Sequence, residues 1–315
     1  MKNKTFKSLD EQVELLIRKG MRITDYEYTR KILLRENYFF LSGYRHAFLT
    51  KDKRRKFRPG TTFEELYALF LFDRQLRNII FKNILIFENN LKSILSHVMS
   101  KNHGYREHNY LNARNLSQDP TKTRLVNDLI KKMRRQIAVN SKNHSATSHY
   151  IRNYGFIPLW VAVKVLSFGL IGELFRAMSD EDQIEISDML KVDVDKLLSY
   201  LPILSNYRNL TAHEDVCYDY KTHRVIEDTI YHQLLYIPKN DGEFIYGKND
   251  LFALVIMLKY VLNEDDFTMF MNEINYELEI LSGKLSAIDL NIILKRMGFP
   301  NNYKSLARVN SNGKK

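Results

Sequence analysis

The sequence predicts an all-α protein, and three observations carry that prediction. Only 12 Gly and 6 Pro punctuate 315 residues, so turns are few and helices can run long. Apolar residues recur at steps of three and four through most of the chain. The longest apolar runs, LYALFLF (66–72) and LFALVIML (251–258), suit core helices and fall far short of a membrane span.

Residues 8–19 place Leu9, Val13, Leu16 and Ile17 at helical spacing and stop at Gly20. Thr24 with Glu27 reads as a capping box for a second helix to about Glu36. NYFFLSGYRHAF (37–48) reads as a bent helix pair, with Tyr38, Phe39, Phe40 and Tyr44 expected to pack. KDKRRKFR (51–58) holds six basic residues and is either a solvated loop or a strip for a phosphate backbone. The longest helix is expected over 63–100, with Leu66, Leu69, Leu76, Ile80, Ile84, Phe87, Leu91, Ile94 and Val98 in one stripe. Asp73 and Glu88 fall inside that stripe, and an acid on an apolar face needs a partner. Either each acid pairs locally, with Arg77 and Lys92 at i+4, or one of them orients a functional residue on another helix.

Residues 101–155 form a polar stretch. Its histidines, His103, His108, His144 and His149, lack the spacing of a metal site and read as surface residues. A helix over 122–139 carries Lys131, Lys132, Arg134 and Arg135, and 136–153 is expected to be a mobile loop. Pro158 and Trp160 open a helix whose Val161, Val165, Leu166, Leu170, Leu174 and Phe175 look like core. Pro202 marks a kink or a start in the helix that follows. Beyond it, LLYIP and EFIY flank KNDG, which leaves room for one small β-hairpin. Helices return over 250–262, 267–282 and 286–297, and the tail from 301 is expected to fray.

Composition bounds function. A net charge of +11 and a pI near 9.4 favour polyanionic partners. A single cysteine, Cys217, excludes a disulfide framework and fits a reducing compartment. The N-terminus MKNKTFKSLDEQ has no apolar signal region, so the expectation is a cytoplasmic protein without a membrane partner. The chain shows no P-loop, dinucleotide glycine motif or nucleophile elbow.

The stretch with chemical content is SNYRNLTAHE (205–214). Arg208 can clamp a phosphate through paired hydrogen bonds, and His213 can move a proton near neutral pH. With the ribose 2′-OH as nucleophile, those two groups suffice to cut RNA without a metal. No other histidine has an arginine five to seven residues upstream. On an ideal helix Asn209 and His213 would share a face, with Arg208 about 140° from His213. The plain alternative is a helix-end histidine and a surface arginine.

RNLTAH resembles the Arg–Asn–x–x–x–His signature of HEPN ribonuclease domains. The wider chain resembles the Abi-like (AbiD/AbiF) abortive-infection family of phage-defence proteins. The matching blocks are NYFFLSGY (37–44), FRPGTTFEELYALFLFDRQLR (57–77), the PLW…LSFGLIGELF block (158–175) and LPILSNYRNLTAHEDVCY (201–218). Asn37, Ser42, Gly43, Tyr44, Gly60, Asp73, Arg77, Trp160, Phe168, Gly169, Arg208, Asn209 and His213 fall at the family's marked positions. Where many members follow the histidine with a basic residue, an aromatic and Asn, this chain has Glu214 to Asp219.

The resemblance implies a HEPN-type helical bundle (57–300) with an N-terminal helical extension (1–56), a polar insertion around 101–155 and a flexible tail (301–315). It implies a metal-independent endoribonuclease leaving 2′,3′-cyclic phosphate ends, with no cofactor. His213 is then the proton-transfer residue, Arg208 the phosphate clamp and Asn209 the orienting residue, with Asp73 and Glu88 as candidate supports. Candidate RNA contacts are Arg45, Lys53, Arg54, Arg55, Arg58, Lys131, Lys132, Arg134 and Arg135. The expected partners are RNA, as substrate and as a candidate regulatory small RNA, and a second copy of the chain. The rival reading is a non-catalytic RNA-binding protein using the same basic cleft.

Overall fold

The computed structural model describes residues 5–50, 56–141 and 143–309. Helices follow one another in chain order: α1 (Leu9–Arg18), α2 (Tyr26–Glu36), α3 (Tyr38–Ser42), α4 (Phe63–His103), α5 (Glu107–Tyr110), α6 (Thr123–Asn140), α7 (Ser145–Tyr154) and α8 (Leu159–Ala162). Then come α9 (Phe168–Ala177), α10 (Asp180–Leu190), α11 (Val194–Ala212), α12 (Ile230–Leu234), α13 (Leu251–Val261), α14 (Glu264–Ser282) and α15 (Leu290–Met297). The strands among the described residues are β1 (Lys239–Asn240) and β2 (Glu243–Phe244), an antiparallel pair. The fold is therefore all-α with one small hairpin. Among the described residues no helix is long and apolar enough to cross a membrane.

The chain divides into two compact units: Met1–Phe81, Leu210–Ile256 and Glu264–Lys315 in the first, Lys82–Asn209 and Met257–Asn263 in the second. The division falls inside α4, inside α11 and inside α13.

In the first unit, α1 is opened by a capping box in which Ser8 and Glu11 each accept the other's backbone N–H. α2 is capped differently from the expectation. Asp25 takes the Tyr28 N–H at 2.9 Å, while the Thr24 hydroxyl donates to Glu64 and Glu27 turns to Arg30. The bend after α2 is made by α3 and a 3₁₀ turn, Gly43–Ala47. Leu41 and Tyr44 point inward at a three-residue step, whereas Phe39 and Phe40 are exposed, contrary to expectation. The first part of α4 buries Phe63, Leu66, Leu69, Leu76 and Ile80. The hairpin turn is Asp241–Gly242, both at positive φ (49° and 85°), as a tight primed turn requires. Its arms are only two residues each, because α12 takes the Leu234 end of LLYIP. Tyr303–Arg308, expected to fray, is a 3₁₀ helix that buries Tyr303 and Leu306.

In the second unit, the rest of α4 buries Ile84, Phe87, Leu91, Leu95 and Val98. Leu95 takes the inward place expected for Ile94, which is half-buried. The segment expected as a loop over 136–153 is mostly helix. α6 continues to Asn140 because Met133 and Ile137 stay buried, and α7 follows within a few residues. The fully buried Thr147 hydroxyl lies 2.9 Å from both the Ser141 and His144 carbonyls, which share its one proton, and ties the start of α7 to the end of α6. His103 is not a free surface residue: its Nε2 lies 2.7 Å from Asp182 Oδ2. α11 continues without a break through Pro202, which has no N–H for the carbonyl four residues back. Buried Leu197, Tyr200, Leu201, Ile203, Leu204 and Tyr207 on both sides of the proline hold that helix in place.

Candidate functional site

α11 delivers the RNLTAH residues at its C-terminal end. Arg208 is half-buried, and Asn209 and His213 are exposed. The helix stops at Ala212, and the His213 N–H bonds to the Leu210 carbonyl at 3.2 Å. That three-residue step tightens the last turn, so His213 leaves the regular helical face on which sequence spacing would put it.

Arg208 and Asn209 belong to the second unit. There Arg208 Nε lies 3.6 Å from Oε2 of Glu88, a buried carboxylate on α4. The other Glu88 oxygen accepts from Lys92 Nζ at 2.6 Å. Glu88 thus makes the local pair and also faces the motif arginine. α9 packs close to α11 one turn before Arg208: a methyl group on Gly169 would sit 3.1 Å from Ser205 Oγ, and one on Gly172 3.4 Å from Leu201 Cβ. Phe168 meets Phe87 edge to face in the same unit, with ring centroids 6.2 Å apart.

His213 belongs to the first unit, and the segment after it is held at one residue after another. Glu214 Oε1 lies 3.6 Å from Arg74 Nη2, which also pairs with buried Glu36 at 2.7 Å. The Asp215 carbonyl accepts from Arg77 Nη1 at 3.1 Å. Val216 fills the space a side chain at Gly43 would need, since a Cβ there would come within 2.8 Å of Val216 Cγ2. The Cys217 and Tyr218 amides donate to Asp73 at 3.0 and 2.6 Å. Asp219 pairs with Arg296 at 2.6 Å.

Asp73 is the hub of that arrangement. It is fully buried and also accepts the Tyr44 hydroxyl at 2.7 Å and Arg77 Nη1 at 2.6 Å. The Tyr44 and Tyr218 rings stack on each other, 6.0 Å between centroids. Burial pushes the Asp73 carboxyl above its ordinary range, against the pull of Arg77 and the donors around it. Burial and the nearby Asp73 push the Tyr44 hydroxyl and the Cys217 thiol up as well, which disfavours the thiolate of this buried cysteine. At Glu36, burial would raise the carboxyl, but Arg74 and Arg35 bring it below the usual range.

Of the two acids in the apolar stripe, Glu88 therefore reaches Arg208, while Asp73 binds the backbone just past His213. Sequence reading missed the contributions of Arg74, Arg296 and Val216. No local spacing signals them, because their partners are remote in the chain. For Gly43, the Gly43–Tyr44 pair in the NYFFLSGY block was the available signal.

The basic candidates divide. On α6, Lys131, Lys132, Arg134 and Arg135 are all exposed; Lys132 pairs closely with Glu173 on α9 at 2.7 Å, and Lys131 lies 3.9 Å from Asp128 on its own helix. Arg45 and Arg58 are half-buried and donate to the Ser42 and Leu49 carbonyls at 3.0 and 3.4 Å. Lys53, Arg54 and Arg55 lie outside the described residues. Among the described residues no group of three or more His, Cys, Asp or Glu side chains is placed to hold a metal ion.

Comparison with known proteins bears on these residues together. Searches of the curated proteins and of the solved structures each matched nothing. Residues 31–219 match the family described as Abi-like protein. That span includes Gly43, Asp73, Arg77, Glu88 and the whole of SNYRNLTAHE. It covers more than half of the sequence, and the chain belongs to the Abi-like protein family.

Proposed function

We propose that the chain is an endoribonuclease of a bacterial abortive-infection system, cutting RNA through the ribose 2′-OH. The observation that carries this reading is the RNLTAH end of α11, with Asn209 and His213 exposed and Arg208 backed by the buried Glu88. Membership of the Abi-like family and a net charge of +11 support it.

In the proposed reaction the 2′-oxygen attacks the adjacent phosphorus and the bond to the 5′-oxygen breaks. One proton leaves the 2′-OH and another goes to the departing 5′-oxygen. The products are a 2′,3′-cyclic phosphate and a 5′-hydroxyl. His213 serves as the proton-transfer residue. Arg208 holds the phosphate and offsets the charge that builds on it. Asn209 is the candidate orienting residue. The exposed cations of α6 are candidates for contacts along the RNA backbone.

The motif supplies one histidine, whereas in-line cleavage needs a base and an acid on opposite sides of phosphorus. A two-fold dimer would bring a second His213 and Arg208 to one groove, so the reading includes a homodimer.

The test incubates purified protein with labelled total RNA in EDTA, beside the His213→Ala variant. Cleavage by the wild type that disappears in the variant is the expected result. RNA binding without cleavage would replace the enzyme with an RNA-binding protein.

A further inference from the structure

We infer that Gly43, Tyr44, Asp73 and Arg77 form a positioning device for His213, acting through the backbone of residues 215–218. The inference rests on the ribonuclease reading of His213. None of these residues is assigned to touch the substrate.

The argument starts from what holds the imidazole in place. His213 sits one residue past the end of α11, where its N–H still reaches the Leu210 carbonyl at 3.2 Å and its own carbonyl accepts from the Asp215 N–H, but the regular helix ladder has ended. Its location is then set by the helix on one side and by the next backbone anchors on the other. Those anchors come at once: Arg77 on the Asp215 carbonyl, then Asp73 on the Cys217 and Tyr218 amides. Asp73 and Arg77 are one helical turn apart on α4, and Tyr44 bridges them, its hydroxyl 2.7 Å from Asp73 Oδ2 and 3.0 Å from Arg77 Nη1. A buried network with this many charge-assisted bonds holds one geometry, because losing any member strands the others without water.

Between the two backbone anchors lies Val216, packed into the space left by Gly43. Gly43 is not needed for its φ, which is an ordinary −61°. It is needed for close approach. Val216 is β-branched and restricted about χ1, so it has little freedom to swing away from an added methyl group. A side chain at position 43 is then expected to displace the 215–218 backbone and His213 with it.

The experiment uses the full chain with Gly43→Ala, and then Gly43→Ala combined with Val216→Ala. Val216→Ala removes the methyl group that clashes and leaves the Asp73 and Arg77 anchors intact. Gly43→Ala should lower kcat about tenfold or more, since small displacements of a reacting group are costly, while RNA affinity stays near wild type. The double variant should recover most of the lost rate. In parallel, the His213 ring resonances, assigned with His213→Gln in ¹³C-histidine-labelled protein, should shift in Gly43→Ala and return in the double variant.

Wild-type kcat together with unshifted His213 resonances in Gly43→Ala would overturn the inference. So would a loss that Val216→Ala does not restore. If the wild type cuts no RNA at all, the ribonuclease reading fails by itself, and the His213 resonances still decide whether this cluster sets the position of the ring.

Discussion

Glu88 Oε2 lies 3.6 Å from Arg208 Nε, and the opposite carboxylate oxygen is held by Lys92 Nζ at 2.6 Å. Glu88 is buried and Arg208 is half-buried, so the carboxylate sits behind the guanidinium on its inner side. In the proposed reaction Arg208 is the phosphate clamp, and Glu88 would be its charged support. Glu88→Gln keeps the shape and removes the charge. It should reduce kcat/KM for RNA about tenfold, equivalent to ~1.4 kcal/mol. Lys92→Met, which leaves the Glu88 charge facing Arg208, should cost much less. Equal losses in the two variants would show that Glu88 acts only through its local pair.

The α6 cations make a prediction about salt. Replacing Lys131, Arg134 and Arg135 with Gln should flatten the slope of log affinity against log salt by about 2, at roughly 0.7 per phosphate contact on single strands. Lys132→Gln should do less, because Lys132 is already paired with Glu173. Binding measured at several salt concentrations checks both, and an unchanged slope in the triple variant returns α6 to a solvated face.

Asp250 makes a prediction about pH. It is buried, accepts the Gly247 and Ala253 amides at 3.1 Å, and burial pushes its carboxyl up to about 6. The folded state therefore keeps this proton between about 3.9 and 6, where the unfolded chain has released it. The contribution of Asp250 to stability falls as pH rises through that window, by at most ~3 kcal/mol. Asp250→Asn should accordingly gain on the wild type between pH 4.5 and pH 7.5 in urea unfolding. A stability difference that does not move with pH would contradict the raised carboxyl.

The shared-site reading makes a prediction about mixtures. His213→Ala chains and Arg208→Ala chains should each be inactive alone. Mixed after unfolding and refolding, they should either recover part of the cleavage or show a defect distinct from both parents, because a mixed dimer holds one intact His213 and one intact Arg208. Full wild-type activity from a stable monomer at nanomolar concentration, sized by light scattering, would falsify the shared site.

Much of the fold was legible because helix faces are written in local spacing. The stripe from Leu66 to Val98 identified α4, and only Ile94 was exchanged for its neighbour Leu95. The errors came where tertiary contacts overrode composition. Residues 145–154 are polar enough to read as loop, yet form α7, anchored by one buried threonine. Phe39 and Phe40 are aromatic enough to read as core, yet a single helical turn can bury only one side, and Leu41 takes it.

By itself the sequence determined the helical class, the charge, the RNLTAH motif and the family, all of which depend on residue type and short-range spacing. It also showed that Asp73 and Glu88 needed partners, because a carboxylate on an apolar stripe cannot be left bare. It could not say which partners. Asp73 finds amides 144 and 145 residues away, and Glu88 finds an arginine on a different helix. Desolvation sets the demand for a counter-group residue by residue, but the packing of remote helices decides which group answers it. The same packing puts Val216 against Gly43, a contact with no trace in spacing or charge.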